Sequence, residues 1–163
     1  MKLAKVFKEN KQFTLFSILA LVVVGVAVFA PQIAPYDPLD AVMLESLQAP
    51  SSAHPFGTDK LGRDLLSRVI FGTRTSLVMT LCLVAVIFVI GTFLGVIAGY
   101  FGGIVDGVIM RIADMMISFP GLVLAIAIAG MLGPNLVNAV ISIAAVSWTK
   151  YARLARSMVL RVK

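Results

Sequence analysis

Residues 75–105 read TSLVMTLCLVAVIFVIGTFLGVIAGYFGGIV, from Thr75 to Val105, without one charged side chain. A helix rises 1.5 Å per residue, so about 20 apolar residues cross the hydrocarbon core of a bilayer. The stretch therefore predicts a membrane span over 77–99, closed by Gly102 and Gly103. Two further uncharged stretches flank it, Gln12 to Tyr36 and Met115 to Thr149. The first predicts a span over 13–30, ended by Pro31 and Pro35. The second is too long for one helix and is cut by Gly133-Pro134-Asn135, a turn signal. It divides into spans over 112–132 and 136–151, and a connection this short makes them an antiparallel pair.

The composition agrees with this reading. Of 163 residues, 60% are hydrophobic and 13% charged, against roughly 45–50% and 25% in soluble domains. A chain this short has too little interior to hide that excess from water, so lipid must take it. The expected fold class is all-α, a polytopic membrane protein with four transmembrane helices. A basic start and an apolar run also suggest a signal peptide. That is the weaker reading, because the run is long for a signal core and no small-residue cleavage site precedes Pro31.

The net charge of +6 acquires a direction once the spans are placed. With the N-terminus inside, Lys2, Lys5, Lys8, Lys11, Arg111, Lys150, Arg153, Arg156, Arg161 and Lys163 all face the cytoplasm. That is ten of the fourteen basic residues, as the positive-inside rule requires. The order becomes a cytoplasmic tail over 1–12, an external loop over 31–76, a cytoplasmic loop over 100–111, an external turn over 133–135 and a basic cytoplasmic extension over 152–163. In the external loop Lys60, Arg63, Arg68 and Arg74 are offset by Asp37, Asp40, Glu45, Asp59 and Asp64. Topology thus accounts for the basicity without a nucleic-acid partner. The single Cys82 excludes an intrachain disulfide framework, and His54 with scattered acids supplies no metal-ligand cluster. No cofactor or catalytic residue is expected.

Several features could carry function. Gly91, Gly95, Gly99, Gly103 and Gly107 recur every four residues, a helix-packing seam. Packing within the chain's own bundle is preferred to a subunit contact. Residues 61–74 read as an amphipathic helix, with Leu61, Leu65, Leu66, Val69 and Ile70 on one face and an Asp64–Arg68 pair on the other. A role in covering the bundle is preferred to binding. Gly57-Thr58-Asp59-Lys60-Leu61-Gly62-Arg63-Asp64 nearly matches a phosphate loop, but it has Arg63 for the lysine and Asp64 for the hydroxyl, and Asp59 adds negative charge. ATP binding there is rejected. Arg111 and Asp114 are expected to pair at the membrane edge, a structural role preferred over proton relay or substrate contact. Pro120-Gly121 should bend the third span. The basic face of Lys150, Arg153, Arg156, Arg161 and Lys163 suits either anionic headgroups or an acidic partner. His54 reads as a loop residue and Trp148 as an interfacial anchor.

In order, these features resemble the inner-membrane permease family of peptide and nickel ABC importers. The resemblance rests on Ala34-Pro35-Tyr36-Asp37-Pro38, on His54-Pro55-Phe56-Gly57-Thr58-Asp59 with Gly62-Arg63-Asp64, and on Gly95 to Gly103. Met110-Arg111-Ile112-Ala113-Asp114, Ser118-Phe119-Pro120 and Trp148 to Arg153 extend it over nearly the whole chain. It implies a type I ABC importer permease fold, normally of six spans, in the plasma (inner) membrane. The implied partners are a second permease subunit, two cytoplasmic ABC ATPase subunits and an extracytoplasmic solute-binding protein. Gly57, Thr58, Asp59, Gly62, Arg63, Asp64, Arg111, Asp114 and Pro120 are the family-motif positions. The sequence departs from the pattern by stopping at Lys163, where the ATPase-docking loop and two more spans are expected. A stand-alone membrane scaffold or assembly protein is the competing reading. A secondary transporter is disfavoured, because no inverted repeat or paired broken helix is visible.

Overall fold

The uncharged runs fold as helices. A computed structural model of the chain describes residues 10–163, so Lys2, Lys5 and Lys8 of the tail lie outside the described residues. Two compact units divide it, one up to Val78 and one from Met79 to Lys163.

In the first unit, α1 (Lys11–Val28) is apolar on nearly every face and almost wholly exposed, as suits a helix surrounded by lipid. The four-residue α2 (Ala30–Ile33) follows at once with Pro31 in its first turn, where proline's missing N–H costs nothing. Ala34 then turns extended ahead of Pro35. A loop holding one 3-10 turn, Met43–Glu45, leads to α3 (Leu65–Phe101), whose first turns belong to this unit and the remainder to the second.

The sequence places an amphipathic helix at 61–74 and a separate span at 77–99, but α3 is one continuous helix of 37 residues. Its start is fixed four residues later than expected, because Gly62 takes φ +74° and Asp64 caps the first turn. The Asp64 carboxylate accepts from the Ser67 amide at 2.7 Å. Nothing stops the helix at Arg74. The Thr73 and Thr75 hydroxyls instead donate back to the Val69 and Phe71 carbonyls within it. At 1.5 Å per residue α3 is roughly 55 Å long, more than the hydrocarbon core requires.

In the second unit, α3 ends where Gly102 takes φ +65°, and α4 (Gly103–Ser118) begins immediately. The cytoplasmic loop expected over 100–111 is therefore mostly helix. The third expected span, 112–132, is two helices. Phe119 is extended ahead of Pro120, and α4 meets α5 (Gly121–Leu132) at 93°. Proline removes one ladder bond and excludes the helical conformation at the residue before it, so the expected bend becomes a break. Gly133, with φ +90°, ends α5. The Asn135 side chain caps α6 (Leu136–Val162) by accepting from the Val137 amide at 3.0 Å.

Among the described residues α1 and α3 are each long and apolar enough to cross a membrane, and the bent pair α4 and α5 makes a third if it is one span. The helix carrying the fourth expected span, α6, does not join them. Asn138, Ser142, Ser147, Thr149 and Lys150 dilute its apolar residues.

Candidate functional site

Two built regions stand out, one in each unit. The first is a polar knot in the loop before α3, organised around two carboxylates. Gly57 and Gly62 both take positive φ. A Cβ on Gly62 would drive into the Val42 carbonyl, and one on Gly57 into the Gln48 carbonyl. Only glycine lets the loop close here. Between them, Asp59 accepts from the Leu61 amide at 2.8 Å and the Arg63 amide at 3.1 Å. Its other oxygen holds the Arg63 guanidinium at 2.8 Å and the Arg68 guanidinium. Burial works against this charge, but the Arg63 side chain and the two amides outweigh it and hold the Asp59 carboxyl far below the usual carboxylate range.

Asp64 is buried beside it. One oxygen accepts from the Ser67 amide and hydroxyl, both at 2.7 Å, and the other lies 2.9 Å from His54 Nδ1. Burial again opposes the charge, and the Ser67 bonds followed by His54 lower the Asp64 carboxyl despite it. The Ser67 hydroxyl accepts from the Tyr36 amide at 3.1 Å. Thr58 closes the knot, accepting from the Gln48 amide at 2.9 Å and donating to the Glu45 carbonyl. The stretch resembling a phosphate loop is thus filled by its own carboxylates, the opposite of an anion cradle.

Two expectations are corrected here. Arg68 pairs with Asp59 and not with Asp64, four residues before it. The reason is that Asp64 is already consumed as the helix cap. His54 is no ordinary loop residue, for it is buried between Asp64 and Glu45 with the Tyr36 ring 4.9 Å away. Tyr36, Glu45 and Ser67 as knot members escape sequence reasoning, because Tyr36 meets Ser67 across 31 residues and the Glu45 carbonyl accepts from Thr58 across 13.

In the second unit the glycine series meets α6. An added Cβ would sit 2.6 Å from the Trp148 carbonyl oxygen at Gly91, 2.8 Å from Ala155 Cβ at Gly95 and 2.8 Å from Val159 Cβ at Gly99. Gly103 and Gly107 continue the spacing in sequence but have nothing within 4 Å, since the chain turns at Gly102. The core beneath is Ala113, Trp148 and Ala152, with Leu94, Ile109 and Met110 against it. Trp148 is accordingly a core side chain and not an interfacial anchor. Phe88 meets Tyr151 edge to face at 6.1 Å.

Ion pairs fasten α4 to the same helix. Arg156 grips Asp106 with two bonds of 2.5 Å, and Arg153 holds Asp114. The Arg111–Asp114 pair expected from spacing does not form. Asp114 goes to Arg153, and Arg111 lines an open hollow with Asp106, Asp114 and Arg156. The basic face of α6 is in part internal, since Lys163 also donates to the Tyr100 carbonyl at 2.8 Å. At the Pro120 break a groove of about 370 Å³ opens against α6, lined by Phe119, Leu122, Ala125 and Val146 and by the polar Ser147, Thr149 and Lys150.

Residues 2–50 match the N-terminal transmembrane domain of oligopeptide transport permease C, and residues 91–163 match the inner membrane component of binding-protein-dependent transport systems. A probable D,D-dipeptide transport system permease of Escherichia coli (strain K12) is 41% identical over 162 residues, which is 99% of this chain and 54% of that relative. The chain belongs to the peptide and nickel ABC permease family. Within the family, the dipeptide permease of Haemophilus influenzae is 39% identical over 96% of this chain and 55% of its own length. The nickel permease of E. coli (strain K12) is 40% identical over 79% of this chain and 47% of its own length. The chain spans about half the length of the curated relatives it matches. Both built regions of this permease chain, the knot around Gly57 to Arg68 and the seam from Gly91 to Gly99, lie within the aligned stretch of the first relative, which covers 99% of the chain.

Proposed function

We propose that this chain forms part of the membrane pathway of an ABC importer that carries a peptide or a nickel complex inward. The observation that carries the reading is the similarity of 99% of the chain to a permease at 41% identity. In this reading four segments cross the plasma membrane, with the bent α4–α5 pair as the third and the first part of α6 as the fourth. The N-terminus is cytoplasmic, so the carboxylate knot faces outward. A second permease subunit completes the pathway, an extracytoplasmic solute-binding protein delivers the solute, and two cytoplasmic ATPase subunits supply the power. The permease chain performs no chemistry itself. Its two built regions support a mechanical role: the knot makes a rigid outer feature at the start of α3, and the glycine seam packs α3 onto α6 so that the two move together.

Orientation is tested by a cysteine at Ser52 in a Cys82→Ser background, probed with a membrane-impermeant thiol reagent. Labelling in intact spheroplasts is the expected result, and labelling only in inverted vesicles would overturn the topology. Assembly is tested by joining residues 1–163 to the remaining part of the Haemophilus influenzae dipeptide permease and co-expressing this chimera with a second permease subunit and ATPase subunits. Co-purification of an ATPase subunit with the chimera is expected, and its absence from a stably inserted complex would overturn the partner assignment.

A further inference from the structure

We propose that His54 is a proton-operated fastener for the Met43–Glu45 turn: the protonated ring ties the turn to the start of α3, and the neutral ring releases it. The His54 side chain is 7% exposed, and its ring lies between two carboxylates on opposite sides. Nδ1 is 2.9 Å from Asp64 Oδ1, and Nε2 is 3.4 Å from Glu45 Oε2. The titratable groups facing it are Asp64 from the start of α3, Glu45 from the 3-10 turn and Tyr36 from the segment after α2, whose hydroxyl donates to the Ala53 carbonyl. Asp59, Arg63 and Arg68 are paired with one another.

An imidazolium has two N–H donors and a neutral imidazole has one. The protonated ring therefore serves both carboxylates, and the neutral ring must abandon one. Burial decides which. The Asp64 side chain is 1% exposed and its other oxygen is committed to Ser67, so it cannot turn to water and keeps the remaining N–H. The Glu45 side chain is 40% exposed and can be hydrated. On deprotonation the Nε2 lone pair faces the Glu45 carboxylate, the attraction ends, and the side chain leaves.

The turn remains tethered by its backbone, through the Thr58 hydroxyl to the Glu45 carbonyl and the Ser46 hydroxyl to the Lys60 carbonyl at 2.9 Å. The switch thus alters the order of the turn without unfolding the loop. Leu44, at 97% exposure the most projecting apolar residue of the turn, is carried with it. Histidine as a residue type changes charge between about pH 5 and 8, so the fastener would answer to the acidity of the compartment the loop faces.

The test is a spin label on Leu44→Cys in a Cys82→Ser background, attached at one pH and scanned from about pH 5 to 8 in lipid vesicles. The immobilised population should fall with rising pH, its ratio to the mobile population changing by about two- to fivefold, the size of one partly exposed ion pair. Glu45→Gln leaves the buried His54–Asp64 bond intact and should flatten the profile, as should His54→Gln, which cannot titrate. A flat profile in the parent chain, or a full response surviving in Glu45→Gln, would overturn the proposal.

Discussion

Replacing Gly95 by alanine adds one methyl group at the tightest point of the α3–α6 contact. That methyl would lie 2.8 Å from Ala155 Cβ and 2.9 Å from the Ala152 carbonyl carbon, and nearer still to its oxygen. Comfortable carbon contacts are about 3.5–4.0 Å, so the helices must part by roughly 0.5–1 Å, a gap that forfeits a quarter to a half of each facing dispersion contact. The obstacles are backbone and a Cβ, neither of which can rotate aside. Overpacking of this kind costs about 1–3 kcal/mol, and the better helix propensity of alanine returns about 1 kcal/mol. Because the obstacle is rigid, a net loss of about 1–2 kcal/mol is expected. Gly107→Ala provides the opposite case. It continues the same four-residue series, yet nothing lies within 4 Å of its added Cβ, so propensity alone should stabilise it by up to about 1 kcal/mol. The assay is unfolding in detergent followed by Trp148, the single tryptophan, whose carbonyl borders Gly91. Equal stability of Gly95→Ala and the parent chain, or greater damage from Gly107→Ala, would refute the packing argument.

The knot and the ion pairs yield further expectations. Gly62→Ala combines a left-handed backbone with a clash on the Val42 carbonyl; it should make residues 34–64 more sensitive to limited proteolysis, whereas Gly72→Ala, with open space around it, should not. A double-mutant cycle on Asp106 and Arg156 should give a coupling of about 1 kcal/mol, and one on the more exposed Asp114 and Arg153 about 0.3 kcal/mol; the reverse order would contradict the geometry. Asp59 and Asp64 both have carboxyls lowered in the folded state. Their stabilisation is therefore complete above the unfolded value of about 3.9 and is lost as pH falls through the lower folded values. Proteolysis within residues 57–64, away from the Met43–Glu45 turn, should accordingly stay flat from neutral pH to about pH 5 and accelerate only below about pH 4. Loss of the knot near neutral pH would contradict the assignment of its carboxylates.

What the sequence makes legible is whatever depends on near neighbours along the chain. Apolar length marks α1 and α3, and the period of four marks Gly91, Gly95 and Gly99. Gly133 and Asn135 announce the end of α5 and the cap of α6. Partners far apart in sequence are invisible to spacing. Helical periodicity suggests Arg111 for Asp114 and Arg68 for Asp64, because only positions three and four apart are considered. The folded chain gives Asp114 to Arg153, 39 residues away, and Asp64 to His54. Gly103 and Gly107 show the converse failure. Their spacing continues the seam, but the positive φ at Gly102 turns the chain, and a period holds only while one helix lasts. Trp148 looks like an interfacial anchor from its place near a span end, and its burial against Ala113 and Ala152 depends on how α4 crosses α6.

The most direct test of the importer assignment is a transplant. The segment of the Haemophilus influenzae dipeptide permease that aligns with this chain would be replaced by residues 1–163, and uptake of a labelled dipeptide measured in cells carrying the remaining transporter components. The expected result is uptake that depends on the solute-binding protein and is abolished by an inactive ATPase. A chimera that inserts in the membrane, retains the ATPase and binding protein, and transports nothing would contradict it.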